Sequence, residues 1–311
     1  MTVALAYPVV LPAGIHVFER GWLSSNNVLM TSQHSSVLID SGYHSHGSQT
    51  VELVRSVLGD RPLEHLINTH LHSDHCGGNA ALTRQYSQLR VSIPPGQADM
   101  VSSWNSKGLS YEPTGQFCPA FEYSDLLIPG STLLLGLLEW EIHAAKGHDP
   151  HSVILFQPNH RLVISADALW ENGFGVVFPE LDGADAFDDV GATLDLIEAL
   201  NPNIVIPGHG RVFAYSPDVI ELARARLQAF VTNPARHAHY AAKVLLKFRL
   251  LEKQRLMQAD LAAWAKSTPL VRQIHHRFFS EEPIANWIDM LIKELIATKK
   301  AQVEGGHILN A

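Results

Sequence analysis

The sequence is poor in cysteine and in long apolar runs, and each shortage excludes a class of protein. Cys76 and Cys118 are the only cysteines among 311 residues, too few for a disulfide framework, so we predict a cytoplasmic protein. No apolar run reaches the roughly 18 residues of a membrane-spanning helix, and we expect no membrane partner. The apolar N-terminus lacks a basic segment and contains Pro8 and Pro12. We therefore predict that it is not a signal peptide.

Charged residues are also scarce, at 17% of the chain against 46% hydrophobic residues, a balance that supports a sizeable core. The charge is spread unevenly along the chain. Residues 234–311 hold 12 Lys and Arg against 7 Asp and Glu, a net charge of +5, whereas residues 1–233 hold 11 basic and 24 acidic residues, a net charge of −13. Because the composition changes at the same place, we predict two domains, residues 1–233 and residues 234–311.

The first predicted domain shows strands alternating with helices. Short β-branched runs bounded by Gly, Pro, Asn or Asp predict strands at Ser36–Ile39, Leu63–Ile67, Val153–Phe156, Arg161–Ile164 and Asn203–Ile206. Apolar residues at helical spacing predict helices at Val51–Leu58 and Val190–Leu200. This alternation is typical of a layered α/β (α+β) sandwich.

The last eighty residues or so have a different pattern. Helical spacing predicts helices at Ala235–Glu252, Met257–Ala265, Pro269–Phe279 and Ile284–Thr298. Two short strands are predicted around the turn at Gly305 and Gly306. Helices closed by a small β-ribbon are typical of a winged helix, so we predict a helical, winged-helix-like domain, with a plain helical cap as the alternative.

The densest group of chemically active residues follows the apolar run that ends at Ile67. Three histidines and a carboxylate fall within six residues, namely His70, His72, Asp74 and His75. Histidine is the commonest metal ligand in proteins. Residues two apart in an extended segment turn to the same side, and the following turn aims the other pair at a neighbouring point. The segment therefore predicts a site for two adjacent cations.

One loop cannot fill two coordination spheres, so further ligands must come from elsewhere in the chain. His148, Asp167 and His209 each stand at the end of an apolar run, beside small residues. Histidine nitrogens and carboxylate oxygens are ligands of zinc, and a catalytic zinc site keeps one position open for water. We predict two divalent metal ions, zinc in the first place, although iron and manganese also suit these ligands.

With these segments in this order, the sequence resembles the metallo-β-lactamase-fold hydrolases, and among them the glyoxalase II-like branch. The resemblance covers roughly residues 14–231. It is carried by Leu38–Gly42, Thr69–His75, Gly147–His148, Ser165–Asp167 and Pro207–Gly210. It implies an αββα sandwich with the metals at one edge, between the two sheets.

The resemblance also implies a role for each matching position. One metal would be held by His70, His72 and His148, the second by Asp74, His75 and His209, and Asp167 would bridge the two. Asp40 matches the carboxylate that supports the metal loop from behind, a support that ligating imidazoles generally need.

The chemistry of such a site follows from its two cations. Two metals that share a water lower its pKa from 15.7 to about 7, so we expect a metal-bridging hydroxide to attack a carbonyl or phosphoryl group. Asp74 is the predicted catalytic proton acceptor. No protein nucleophile is needed, and the sequence contains no Gly-x-Ser-x-Gly motif. We interpret Cys76, next to His75, as a packing residue.

Aromatic residues near these segments are candidates for a substrate pocket. Trp170, Phe174 and Phe178 lie in a loop punctuated by Gly and Pro, and we hypothesise that they form an apolar wall over the metals. A staple between helix and sheet is an equally weighted alternative. Tyr43 and His151 are further candidates for substrate contact, with a plain surface role as the alternative.

Two classes of function compete. The first is a hydrolase of a small carbonyl substrate, a thioester, ester or lactone, for which the basic C-terminal residues would grip an anionic thiol carrier. The second is a nucleic-acid phosphodiesterase, in which they would guide RNA, and nucleic acid stays open as a partner. A polyanion needs several phosphate contacts near the active centre, and the net charge of −13 over residues 1–233 favours the first. A non-enzymatic DNA-binding protein would leave the metal ligands without purpose, and a homodimer is compatible with the sequence.

Overall fold

The computed structural model describes residues 9–311. The prediction about a signal peptide concerns a segment whose residues 1–8 lie outside this range. Within the described residues, no helix has the length and apolar character needed to cross a membrane.

The described residues form strands and helices in the following order. The strands are β1 Ile15–Phe18, β2 Asn27–Thr31, β3 Ser36–Ile39, β4 His65–Ile67, β5 Arg90–Ile93, β6 Asp125–Leu126, β7 Thr132–Leu135, β8 Leu138–Ala144, β9 Val153–Gln157, β10 Leu162–Ala166, β11 Ile204–Pro207, β12 Phe213–Ala214, β13 Arg255–Met257, β14 Ala301–Glu304 and β15 His307–Asn310. The helices are α1 Gly47–Leu58, α2 Ser73–Cys76, α3 Asn79–Gln85, α4 Ala98–Ser102, α5 Tyr111–Thr114, α6 Phe178–Leu181, α7 Phe187–Leu200, α8 Pro217–Thr232, α9 Pro234–Lys253, α10 Gln258–Ser267, α11 Pro269–Phe278 and α12 Ile284–Ala297.

Two six-stranded sheets pack against each other through a shared apolar core. The first has the order β1-β2-β3-β4-β5-β6 and is parallel from β3 onward, and the second has the order β12-β11-β10-β9-β8-β7 with one parallel pair, β10 and β11. Because side chains alternate along a strand, Val37 and Ile39 of β3 enter the core between the sheets, where Trp140, Leu155 and Ile164 of the second sheet meet them.

Helices cover the outer face of each sheet. Leu38, the outward residue of β3, packs with Val54 and Leu58 of α1. On the other side, Val163 of β10 packs with Leu194 of α7. The layers are thus helix, sheet, sheet and helix, and the predicted αββα sandwich is confirmed.

The predicted elements agree with the structure to within a few residues. The largest difference is at the helix predicted over Val51–Leu58, which begins four residues earlier, at Gly47. The strand predicted at Leu63–Ile67 begins only at His65. In the C-terminal region the four predicted helices and the β-hairpin around Gly305 and Gly306 are present. An additional strand, β13, pairs with β15 to give a three-stranded sheet, order β13-β15-β14. The winged-helix assignment and the division into two domains stay predictions.

The C-terminal region packs directly beside the edge of the sandwich where the strands end. α8 ends at Thr232, and the side chain of Asn233 caps α9 by accepting a hydrogen bond from the backbone N–H of Arg236, 3.2 Å away. Val176 and Leu181, from the segment that follows β10, share one buried core with α9, α11 and α12. α9 therefore forms part of the surroundings of this edge.

Candidate metal centre

The predicted metal ligands lie at one edge of the sandwich because each follows the C-terminal end of a strand. Asp40 follows β3, His70, His72, Asp74 and His75 follow β4, His148 follows β8, Asp167 follows β10, and His209 follows β11. The sheets thus position side chains that are far apart in the sequence around a common point.

One group of imidazoles consists of His70, His72 and His148, whose ligand atoms lie within 4.8 Å of one another. His72 Nδ1 is 3.1 Å from His70 Nε2 and 2.8 Å from His148 Nε2. The outer nitrogens of two of these rings face oxygen: His148 Nδ1 donates to the Val176 carbonyl at 2.6 Å, and His72 Nε2 lies 3.7 Å from Asp149 Oδ2. The remaining nitrogens therefore converge on one point.

A second group consists of Asp74, His75 and His209, again within 4.8 Å of one another. His209 Nε2 lies 3.1 Å from Asp74 Oδ2. Asp167 stands between the two groups, with its carboxylate oxygens 3.4 Å from His148 Nε2, 3.5 Å from His75 Nε2 and 3.9 Å from His209 Nε2. A carboxylate in this position can face two neighbouring centres at once.

Asp40 holds the loop from behind. Its side chain is buried and lies 2.7 Å from His75 Nδ1, which fixes the imidazole with Nε2 toward the centre. The same carboxylate accepts hydrogen bonds from the backbone N–H and the hydroxyl of Thr69, at 2.9 and 2.8 Å. Asp40 has a backbone φ of 56°, and such a conformation costs a non-glycine residue on the order of 1 kcal/mol or more. The surrounding hydrogen bonds hold it there.

Burial and mutual proximity shift the pKa values in this cluster. Burial lowers the pKa of His70 well below its usual value, and the pKa of His148 to about 4, so both imidazoles are neutral near pH 7, the form in which histidine can bind a metal. Burial disfavours the charged forms of Asp167 and His75, but oppositely charged neighbours outweigh this effect. These neighbours are histidines around Asp167, and Asp40 and Asp167 around His75. The pKa of Asp167 falls well below its usual range, and that of His75 rises well above.

Two glycines allow the backbone to approach the ligands closely. A Cβ atom on Gly208 would lie 2.3 Å from Asp167 Oδ1 and 3.0 Å from His75 Cε1, and a Cβ on Gly175 would lie 2.4 Å from His148 Nδ1. Any larger side chain would displace a candidate ligand.

The donor set fits divalent cations. His75 Nε2 is buried and has no hydrogen-bond partner among the described residues, which is costly unless a ligand satisfies it. Nitrogens that face each other at 2.8 to 3.1 Å, as in the His70 group, cannot all be satisfied by one another when the rings are neutral. Histidine nitrogens with carboxylate oxygens are the ligands of zinc and related transition metals.

A pocket opens over this cluster, with about 630 Å³ of empty space including its mouth. Its floor contains His72, Asp74, His148, Asp167 and His209. Its other walls are supplied by the residues Trp22, Ser110, Thr114, Gln116, Trp170, Gly175, Val176, Phe178, Tyr240, Val244, Leu245 and Phe248. The candidate ligands are therefore reachable by a small molecule.

The predicted pocket residues divide into two sets. Trp170 and Phe178 line the pocket, and the indole N–H of Trp170 donates to Asp167 Oδ1 at 3.2 Å. Phe174 is instead buried in the core beneath the second sheet, in the manner of the staple considered above. Tyr43 is buried against Phe248, and His151 lies outside the pocket lining. For these three residues the substrate-wall hypothesis has no geometric support.

Three parts of the lining were not predicted from the sequence, namely Trp22, the residues of α9, and Ser110, Thr114 and Gln116 in and around α5. Trp22 stacks on the His209 ring, with centroids 5.4 Å apart and planes 11° apart, and nothing around it in the sequence marks it. The contribution of α9 had a signal: Tyr240, Val244 and Phe248 recur at four-residue spacing beside the buried alanine and leucine face. This second apolar stripe indicated a further packing partner.

A hydrogen-bonded path joins α9 to the candidate ligand His148. The Val176 carbonyl accepts from His148 Nδ1, and the next backbone N–H, that of Val177, donates to His237 Nε2 at 3.1 Å. His237 is buried, and burial lowers its pKa to about 4, with the positive charge of Arg226 as a smaller cause. His237 therefore acts as a neutral acceptor that holds the peptide behind His148.

The fold and this arrangement of histidines and aspartates define a metallohydrolase-like centre. Residues 20–209 match the family model of the metallo-beta-lactamase superfamily, and the chain belongs to that superfamily. Its members are metal-dependent hydrolases, which use divalent metal ions, typically zinc.

Individual relatives are distant. A hydroxyacylglutathione hydrolase from Brucella anthropi is 24% identical over 242 residues, which are 78% of this chain and 75% of that protein. A metallo-beta-lactamase family protein from Thermus thermophilus superposes with a TM-score of 0.58 at 15% identity, covering 97% of this chain and all of the other. A beta-lactamase domain protein from Burkholderia ambifaria gives a TM-score of 0.55 at 17% identity, covering 98% and 97%. At these identities the structures support the shared fold alone.

Proposed function

We propose that this chain is a dinuclear, zinc-dependent hydrolase of small carbonyl substrates, thioesters, esters or lactones. His70, His72 and His148 would hold one metal, Asp74, His75 and His209 the other, and Asp167 would contact both. Bound divalent cations supply an activated water and a Lewis acid for the substrate oxygen. The observation that carries the proposal is the convergence of these two ligand groups on either side of Asp167, at the floor of an open pocket.

The other site residues have roles that their positions suggest. Asp74 lines the pocket. Burial alone would raise the pKa of its carboxyl, but the hydrogen bond with His209 outweighs burial, and the pKa is lowered. Asp74 is ionised at neutral pH and can accept a proton from the attacking water. Asp40 orients His75, and Trp170 orients Asp167. Trp22 and Phe178 exclude water from one side.

The similarity to hydroxyacylglutathione hydrolase supports a thioester among the candidate substrates. The pocket supports a small molecule over nucleic acid, because its lining among the described residues contains no Lys or Arg to neutralise phosphates.

A substrate panel tests this proposal. The zinc-loaded protein is assayed with S-lactoylglutathione, an acyl-coenzyme A, a homoserine lactone, neutral p-nitrophenyl esters and a short single-stranded RNA. The double variant Asp74→Asn/His75→Ala should abolish turnover, whereas Asp60→Asn/His34→Ala, the same changes at two exposed positions, should leave it unchanged.

Two outcomes would overturn the proposal. Cleavage of RNA alone, lost in the first variant and kept in the second, would make the protein a nuclease. Turnover that survives Asp74→Asn/His75→Ala would separate the activity from this centre.

A further inference from the structure

α9 presents an apolar wall to the pocket. Tyr240, Val244, Leu245 and Phe248 all line it, and their spacing of four, five and eight residues places them on one side of the helix. Val244 and Phe248 are half-buried, as expected of side chains that border an opening. The wall comes from the C-terminal region and faces the candidate ligands.

Aromatic rings form a second apolar wall. Trp22 contacts Trp170 edge to face, with centroids 5.3 Å apart and planes 70° apart. Phe178 packs edge-on against His72, at 5.0 Å. Trp22 is 55% exposed and lines the pocket, so its ring borders the opening. The space between the two walls is thus bordered by rings and aliphatic side chains.

No cation of the described chain faces this space. The acidic side chains of the lining are Asp74 and Asp167, and Ser110, Thr114 and Gln116 carry no charge. The guanidinium of Arg226 lies behind Tyr240, 4.6 Å from its ring centroid, and also stacks on Phe174 and Phe230. Lys146 borders a separate small cavity on the far side of His148.

Away from the metal ions that the floor would hold, the two walls would therefore accommodate a charged substrate group poorly. A carboxylate or phosphate moved from water into this space loses hydration that no lysine or arginine replaces. An apolar group gains roughly 0.8 kcal/mol for each CH₂ that it buries. The lining discriminates between the two by the chemistry of its walls.

We propose that the pocket binds an uncharged, apolar acyl group, an aliphatic chain or an aromatic ring next to the scissile carbonyl, seated between α9 and the Trp22–Trp170 pair. The inference rests on the proposed hydrolase function and narrows it. If the leaving group is an anionic thiol carrier, its charges lie outside the pocket.

A series of p-nitrophenyl esters tests the proposal on the zinc-loaded protein. The acyl groups are acetyl, butanoyl, hexanoyl and adipoyl, and the last two have six carbons and differ in a terminal carboxylate. We expect kcat/KM to rise roughly twofold to fourfold for each added CH₂. We expect the adipoyl ester to be at least tenfold poorer than the hexanoyl ester.

Val244→Lys tests whether α9 determines the preference for the hexanoyl over the adipoyl ester. A cation in this wall should lower kcat/KM for the hexanoyl ester and raise it for the adipoyl ester, so that their ratio falls at least tenfold. Val231→Lys, the same change at an exposed position of α8, is the matched control and should leave the ratio unchanged. Val244→Ala, which adds no charge, should lower kcat/KM for the hexanoyl ester alone and covers the case in which Val244→Lys does not fold.

The outcomes separate this inference from the proposed function. A flat chain-length series, or an adipoyl ester as good as the hexanoyl ester, overturns the apolar acyl site while leaving the hydrolase intact. If no ester is hydrolysed, the proposed function is left to the thioesters and lactones of the substrate panel, and binding decides the inference. Hexanohydroxamic acid should then bind at least tenfold more tightly than adipic monohydroxamic acid, with Kd measured by the quenching of tryptophan fluorescence. Equal binding of the two would overturn the apolar acyl site.

Discussion

The floor and the α9 side of the pocket are held in place by different interactions, hydrogen bonds for the floor and apolar packing for α9. The floor consists of buried histidines and aspartates that depend on hydrogen bonds from a further layer, such as those of Asp40 with His75 and Thr69. The α9 side consists of apolar side chains whose positions depend on packing of the C-terminal region. In our proposals the polar floor carries the chemistry and the apolar wall selects the substrate, so residues of the wall could change without displacing the candidate metal ligands.

The largest effect is expected for Gly208→Ala, which perturbs the floor of the pocket and not the α9 wall. Its Cβ would lie 2.3 Å from Asp167 Oδ1, so the carboxylate must move, and we expect activity to fall by about 100-fold or more. Zinc content by mass spectrometry and kcat with the best ester measure the effect. Gly191→Ala, where the nearest atom is 3.8 Å away, is the control, and equal losses in both variants would contradict the close-approach explanation.

Asp40→Asn removes the carboxylate that orients His75 from the side away from the pocket. The amide cannot pair with His75 Nδ1 as a carboxylate does, and loss of such a support typically lowers metal affinity about 10-fold to 100-fold. Competition with a coloured zinc chelator measures the change. Asp60→Asn, at an exposed position, should bind zinc as the wild type does, and an unchanged affinity in Asp40→Asn would show that Asp40 does not support the metal ligands.

His237, on α9, connects the α9 side of the pocket to the floor, because it holds the peptide behind His148. Its titration is therefore a measure of this contact. Its pKa is about 4 in the folded protein against about 6.5 in an unfolded chain. The unfolded state therefore binds more protons between pH 4 and 6.5. The stability that neutral His237 contributes is fully present above pH 6.5 and is lost as the pH falls toward 4.

His237→Gln keeps an acceptor for the Val177 N–H and removes the titration. Urea unfolding at pH 7 and pH 4.5 should show that the wild type loses about 2 kcal/mol more than the variant over this interval. The same loss in both proteins would show that His237 titrates normally in the folded state. His237→Leu removes the acceptor as well, and it should weaken zinc binding where His237→Gln does not.

The smallest expected effect is that of Trp170→Phe, which touches both sides. The ring still lines the pocket, but the hydrogen bond to Asp167 Oδ1 is lost. Loss of a hydrogen bond to an ionised carboxylate predicts a fall in kcat of about tenfold, with KM nearly unchanged. A rise in KM with constant kcat would instead assign Trp170 to the apolar wall alone.

Much of the fold followed from local patterns in the sequence. β3, with Val37 and Ile39 on one side and Leu38 on the other, has the residues of a buried strand, and α1 and α7 have one apolar face each. The His70–His75 segment placed ligands together because they are close in sequence, and the positions of His148, Asp167 and His209 at strand ends indicated a common edge.

The walls of the pocket could not be predicted in the same way. Phe174 and Phe178 are only four residues apart, yet one enters the core and the other the pocket. The chain between them passes from one core to another, because Val177 packs with Phe174 whereas Val176 packs with α9. Trp22 reaches the centre through the tertiary fold alone, from a loop before β2. Such contacts depend on how distant elements pack, which local spacing does not encode.

The measurement that tests the two-metal centre most directly is the zinc stoichiometry of the purified chain, by titration and mass spectrometry. We predict two zinc ions in the wild type and one in Asp74→Asn/His209→Ala, which retains the His70, His72 and His148 group. We predict two again in Asp60→Asn/His34→Ala. A wild type that binds no zinc, or a double variant that still binds two, would contradict the two-metal centre.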